Sequence, residues 1–95
     1  MIRTLILGFA LAAAPALAAP AYQAEPAAKP AAAKLVLRDT VWKCGDAGCA
    51  GSQSNSRPAV VCAVLAREVG ALRSFSAEGR TLSAEELEKC NARAN

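Results

Sequence analysis

The chain has 95 residues, with 11 Lys and Arg against 8 Asp and Glu, and it contains no His. The absence of His removes the usual general base, the usual Ser–His and Cys–His nucleophile pairs and the commonest metal ligand. The sequence also lacks a phosphate-binding glycine loop and a dinucleotide fingerprint. We therefore expect a protein that is not an enzyme and that carries no cofactor.

Residues 1–18 are typical of a cleaved signal peptide. A short basic segment precedes an apolar run over residues 4–17, and Ala16-Leu17-Ala18 is a small-x-small cleavage motif. The apolar run is shorter than the roughly 20 residues of a membrane-spanning helix, and Pro15 interrupts it. We expect cleavage near Ala18 and a periplasmic or secreted mature protein without a transmembrane segment.

The mature chain has a small positive net charge and four Cys. Its few excess cations are scattered along the sequence, so we expect no nucleic-acid partner. A chain of this length forms one domain, and an exported domain this small needs disulfide bonds to be stable. The four Cys therefore predict two disulfides.

Residues 19–34, with the sequence APAYQAEPAAKPAAAK, are rich in Pro and Ala. Three prolines interrupt any helix, and Tyr22 is the single side chain large enough to anchor a core. We expect a flexible tether with Tyr22 in solvent, followed by a folded domain over residues 35–95.

The domain begins with β-rich residues at 35–37 and 40–42. Strict alternation fails across the two groups, so we expect one strand with both faces partly covered or with a bulge near Asp39. The segment W-K-C-G-D-A-G-C at 42–49 then predicts a tight Cys loop, because its two Gly allow a sharp turn. Residues 50–57 are small and polar, and they predict a loop.

Pro58 opens the first predicted helix, with Ser56 or Arg57 at the cap position. Gly70 is expected to end this helix in the left-handed conformation. The residues at helical spacing on one face are Val61, Cys62, Leu65 and Val69. Val60 and Val64 widen the apolar arc, which fits either burial on two sides or a surface for a dimer or another partner.

A strand is expected over residues 71–76, followed by a turn at Glu78-Gly79 and a short returning strand. The last helix has the strongest local signals, because Ser83 and Glu86 form a capping box and Leu82 with Leu87 a hydrophobic staple. The predicted fold is therefore α+β, in the order strand, Cys loop, helix, strand or hairpin, helix.

Cys62 and Cys90 each lie on the apolar face of a predicted helix, whereas Cys44 and Cys49 are close in sequence. This spacing favours disulfides Cys44–Cys49 and Cys62–Cys90. Two alternatives use the same sulfurs, a four-Cys zinc site and a thiol-redox centre. An oxidising compartment disfavours zinc thiolates, and the absence of a C-x-x-C motif disfavours redox chemistry.

Trp42, Asp46 and Arg57 form the candidate binding surface. Trp42 fits either ring packing on the adjacent disulfide or a ligand platform. Asp46 fits a turn-former or, less well, a calcium ligand. Arg57, near a helix N-terminus, fits either an anion contact or a solvated guanidinium.

Five segments of the chain resemble a family of small exported four-cysteine proteins of alphaproteobacteria whose function is uncharacterised: V-W-K-C-G-D at 41–46, S-R-P-A at 56–59, V-C-A at 61–63, R-E-V-G-A-L-R-S-F-S at 67–76 and L-E-K-C-N-A-R-A at 87–94. The resemblance implies a Gram-negative, periplasmic or secreted protein and supplies no catalytic residue.

We therefore expect a non-enzymatic exported module that binds a partner or is associated with the envelope. Its expected partner is an envelope protein or a second copy of itself. The alternatives are a small zinc- or other metal-binding protein and a thiol-redox accessory protein.

Overall fold

The computed structural model describes residues 20–94 and shows a six-stranded antiparallel sheet with two helices. The predicted α+β class is confirmed, and the predicted signal peptide lies outside the described residues. The elements in chain order are β1 (Tyr22–Pro26), β2 (Lys34–Leu37), β3 (Thr40–Gly45), β4 (Gly48–Gly51), α1 (Pro58–Val69), β5 (Leu72–Ala77), β6 (Arg80–Thr81) and α2 (Ala84–Asn91). The strand order in the sheet is β2-β3-β4-β1-β5-β6.

Strand β1 corrects the prediction of a flexible tether. It lies inside the sheet, antiparallel to both β4 and β5, and Tyr22 is only 3% exposed. Tyr22 and Ala24 are buried while Gln23 and Glu25 are exposed, which is the alternation of a half-buried strand. Pro26 lies at the end of the strand, where the register with β5 shifts. A missing backbone N–H is tolerated at such a position.

The rest of the predicted tether is also attached to the domain. The backbone N–H of Ala27 donates to Ala71 O at 2.9 Å, and that of Cys44 donates to Ala33 O at 2.8 Å. Residues 27–33 therefore connect β1 to β2 through defined backbone contacts and do not form a free linker.

A hairpin replaces the single strand predicted at the start of the domain. The chain reverses at Arg38-Asp39, so that Leu35 pairs with Trp42 and Leu37 with Thr40. This reversal explains why strict alternation fails across the two β-rich groups. The predicted Cys loop is a second hairpin, between β3 and β4, with Cys44 opposite Cys49.

Three aromatic rings form the centre of the core. Tyr22, Trp42 and Phe75 lie with ring centroids 5.9–6.3 Å apart. Gly51 makes room for the indole, since a Cβ at this position would lie 2.8 Å from the Trp42 ring. Both helices contact β5, and the residues that α1 buries are Val61, Cys62, Leu65 and Ala66. The core therefore lies between one face of the sheet and the helices.

The helix boundaries follow the local sequence signals. Helix α1 begins at Pro58 with Arg57 at the N-cap, and it ends at Gly70. Gly70 has φ 94° and ψ −172°, so its φ is positive as expected, but its ψ is not that of the predicted left-handed cap. The capping box of α2 is confirmed. Glu86 N donates to Ser83 Oγ at 3.1 Å, and Ser83 N donates to Glu86 Oε1 at 2.9 Å.

The capping box gives a pH-dependent prediction. The N–H and hydroxyl of Ser83 hold the pKa of Glu86 below its ordinary value of 4.5. A lowered folded-state pKa contributes stability above pH 4.5 that disappears as the pH falls through the folded pKa. We expect Glu86→Gln to unfold at a lower temperature than the unmodified protein at pH 7, with the gap closing as the pH falls below 4.5 and through the lowered folded-state pKa.

Thermal unfolding followed by circular dichroism across this pH range measures the effect. Glu85→Gln removes the same charge from the same turn without touching the capping box. An equal loss in both variants would show that net charge, and not the capping bond, is responsible.

The two disulfides are Cys44–Cys49 and Cys62–Cys90, the pairing that the spacing favoured. Cys62–Cys90 joins α1 to α2, and Cys44–Cys49 bridges β3 and β4. A side-chain contact also holds α2 to the sheet. Asn91 Oδ1 accepts from Leu72 N at 2.8 Å, and Asn91 Nδ2 donates to Leu72 O at 2.9 Å. The Cys62–Cys90 bond and the Asn91–Leu72 hydrogen bonds together hold the helix pair against β5.

Candidate functional site

The structure places the three predicted binding residues in separate environments. Trp42 is 1% exposed and belongs to the core, so its assignment to a binding surface is wrong. Asp46 lies in the turn between β3 and β4 with its side chain 92% exposed, and it accepts from Lys29 Nζ at 3.0 Å. Such an exposed ion pair contributes little to stability. Arg57 is exposed at the start of α1.

All four Cys of the chain are paired in disulfides. A zinc site made of Cys thiolates would need reduced sulfurs, and this oxidised state supplies none. Among residues 20–94, no three His, Cys, Asp or Glu side chains lie close enough together to hold a metal ion. The two bonds join α1 to α2 and β3 to β4.

Arg57 lines a groove of about 640 Å³ between α1 and α2. We call it the basic groove. Its six cationic lining residues are Arg38, Arg57, Arg67, Arg80, Lys89 and Arg93. Its aliphatic floor consists of Pro58, Val60, Ala63, Val64 and Leu82. Six of the ten Lys and Arg within residues 20–94 thus converge on one surface, although the sequence suggested that the charges were scattered.

The periodicity of the helices explains this convergence. On α1, Val60 and Val64 are one turn apart, and Arg67 follows on the same face. On α2, Lys89 lies one turn beyond Glu86, and Arg93 follows after the helix. Cys62–Cys90 joins the two helices from the buried face of α1, and the residues of both stripes line the same groove. The β5–β6 hairpin adds Arg80, and the turn between β2 and β3 adds Arg38.

The positive charge of the groove is poorly compensated. Glu86 is the one acidic residue among the described lining residues, and its carboxylate already accepts the N–H of Ser83. Arg80 and Lys89 are close enough to add to the lowering of the Glu86 pKa. Within residues 20–94, the side chains of Arg38, Arg57 and Arg93 make no hydrogen bond or ion pair. The groove therefore presents an excess of cations to any ligand.

A polar network supports the Arg38 end of the groove. Asp39 accepts from Ser54 Oγ at 2.8 Å and from Asn55 N at 2.9 Å, which ties the turn between β2 and β3 to the loop before α1. The Asn55 N–H, followed by the Ser54 hydroxyl, holds the pKa of Asp39 below its ordinary value of 3.8. The carboxylate of Asp39 is therefore engaged away from Arg38.

Arg38 itself has φ 59°, in the left-handed region where Gly and Asn are favoured. Glu78 has a similar φ of 50° in the turn between β5 and β6, so this conformation belongs to the two tight turns.

A second depression, of about 520 Å³, lies on the open face of the sheet. Its lining residues from β1 and β5 include Gln23, Glu25, Ser74 and Ser76, which alternate with the buried residues of the core face. These side chains are small or neutral apart from one carboxylate, so this surface offers no concentration of charge. The basic groove is therefore the candidate functional site.

The fold and the site together define a small two-disulfide α+β domain with a cationic groove. Two disulfides indicate an oxidising, extracellular or periplasmic environment. No helix within the described part of the chain is long and apolar enough to cross a membrane.

The chain belongs to the DUF8200 family of unknown function, whose profile matches residues 7–92. The matched range includes β1 as well as the later elements, so the family extends over the segment that composition alone assigned to a tether. No curated protein matches the chain. No solved structure matches it either.

Proposed function

We propose that the protein is an exported, non-enzymatic binding module that takes an anionic ligand into the basic groove. The observation that carries this proposal is the convergence of six cationic side chains around a recessed aliphatic floor. Arg38, Arg57 and Arg93 make no ion pair within residues 20–94, and cations held close together repel one another, so an anionic ligand relieves that repulsion. The signal-like sequence of residues 1–18 and the two disulfides support export.

The lining of the groove favours binding over chemistry. It combines guanidinium and ammonium groups with aliphatic side chains and one engaged carboxylate, and this set supplies no activated nucleophile with an adjacent base. The three aromatic residues within residues 20–94 are all buried in the core. The groove therefore has no ring on which a nucleobase could stack, and this feature argues against a single-stranded nucleic acid.

We expect the double substitution Arg57→Gln/Arg93→Gln to weaken binding of inorganic tripolyphosphate by about tenfold or more, because each removed charge contributes on the order of 1 kcal/mol. Isothermal titration calorimetry at low ionic strength measures this change. Raising the salt concentration is expected to weaken binding to the unmodified protein as well.

Two controls separate the groove from net charge and from folding. Lys34→Gln/Lys43→Gln removes the same two charges from β2 and β3, outside the groove, and should leave affinity nearly unchanged. Arg38→Asn should weaken binding while unfolding at an equal or higher temperature, because Asn tolerates the left-handed backbone better than Arg. Equal losses from the groove pair and from the β2–β3 pair would refute the proposed site.

A further inference from the structure

We infer that the ligand of the basic groove is a single anionic amphiphile, with a phosphate or carboxylate head group and an aliphatic chain. This inference rests on the proposed function and names the chemistry of its ligand. Its basis is the division of the groove into a charged rim and an apolar floor.

The rim and the floor differ in their exposure to solvent. The side chains of all six cationic residues are exposed, whereas Val60, Val64 and Leu82 on the floor are half-buried. A small inorganic anion would be satisfied by the rim alone and would leave the apolar floor in contact with water. A ligand that also carries an aliphatic chain covers that floor and gains free energy from the apolar area removed from water.

The recessed position of the floor favours one molecule over a bilayer surface. Proteins that insert into membrane interfaces present protruding apolar side chains, often aromatic, beside their cations. Within residues 20–94, Val36 is the one exposed large hydrophobic residue, and it lies on β2 and does not line the groove. A flat membrane would meet the cations without reaching Val60 and Val64.

The size and lining of the groove also favour a small amphiphile over an acidic protein segment. A volume of about 640 Å³ lies within the usual range for small-molecule sites. The floor offers only small aliphatic side chains and no Trp or Tyr, which are the residues that usually anchor protein interfaces. The chemistry of the site is therefore matched by an aliphatic chain ending in an anion.

Alkyl phosphates of increasing chain length test the inference on the purified protein. Inorganic phosphate, ethyl phosphate, butyl phosphate and octyl phosphate are titrated below their micelle-forming concentrations, and binding is followed by calorimetry and by amide NMR shifts. We expect affinity to rise by about twofold to fourfold for each added methylene until the chain covers the floor, the upper value being that of full burial.

The double substitution Val60→Thr/Val64→Thr is expected to flatten this dependence on chain length while leaving the affinity for inorganic phosphate within about twofold of the unmodified protein. Val36→Thr makes the same chemical change at an exposed valine away from the groove, and it should leave the dependence intact. Unchanged amide spectra outside the groove show that the variants keep the fold.

Each remaining outcome is decisive. Phosphate binding that needs Arg57 and Arg93 but ignores chain length would overturn the amphiphile and leave the proposed function standing. No binding of any phosphate would overturn both. Tighter binding to vesicles of equal parts phosphatidylglycerol and phosphatidylcholine than to octyl phosphate would assign the groove to a membrane surface. Tighter binding to an acidic amphipathic peptide would assign it to a protein partner.

Discussion

Replacing Tyr22 with Ala is expected to lower the free energy of unfolding by about 3–5 kcal/mol, a loss typical of a large aromatic side chain removed from a core. Tyr22 is almost fully buried, and its ring lies 6.1 Å from that of Trp42 and 5.9 Å from that of Phe75. A cavity at this point would open beneath β1, one of the two middle strands of the sheet. The small domain has little stability in reserve, so this variant should be largely unfolded well below the melting temperature of the unmodified protein.

Urea denaturation followed by Trp42 fluorescence measures the loss directly, because the indole lies beside the substituted ring. Gln23→Ala is the matched control, since it changes the neighbouring residue of the same strand on the exposed face. We expect that variant to stay within about 0.5 kcal/mol of the unmodified protein. Equal stability of Tyr22→Ala and Gln23→Ala would show that Tyr22 is not part of the core and that residues 19–34 form a tether.

Elements with local signals were predictable from the sequence. The capping box at Ser83 and Glu86, Pro58 at the start of α1 and the turn at Glu78-Gly79 each depend on residues within a few positions of one another. The disulfide pairing followed from the same local elements, because Cys62 and Cys90 each occupy the buried face of a helix that could be predicted.

The position of β1 was not predictable in the same way. Its sequence is dominated by Ala, Pro and polar residues, and it becomes a strand because β4 and β5 supply backbone partners on both sides. Those partners are distant in the chain, so tertiary pairing overrides a weak local preference. Tyr22, a single large side chain among small residues, was a signal for a buried strand. The high Ala and Pro content of the segment favoured a tether instead.

The basic groove was not predictable from the sequence either, again because the residues that form it are distant in the chain. Its cations are spread from Arg38 to Arg93, and a count of charge along the chain finds no cluster among them. The useful signal is the spacing of Val60, Val64 and Arg67 after Arg57, which places valine and arginine on the same outward stripe of α1. The matching stripe on α2 meets it only after the helices are brought together.

The disulfide between the helices therefore has a larger expected effect on both stability and binding than the hairpin disulfide has. We expect Cys62→Ala/Cys90→Ala to lower the free energy of unfolding by about 3–4 kcal/mol, because it releases a long loop in the unfolded chain. Cys44→Ala/Cys49→Ala releases a loop of only a few residues within a hairpin, and its expected loss is about 2 kcal/mol. The sequence separations of 28 and 5 residues set this order.

The two double variants should differ more in their affinity for the ligand than in their free energy of unfolding. Cys62–Cys90 holds α1 against α2, and these helices carry Val60, Val64, Arg67 and Lys89, which line the two sides of the groove. Loss of that bond should weaken octyl phosphate binding at temperatures where the domain is still folded, whereas loss of Cys44–Cys49 should leave affinity unchanged. Urea titration and calorimetry on the same preparations test both statements. Equal affinities in the two variants would show that sheet packing alone, without the disulfide, keeps the groove in shape.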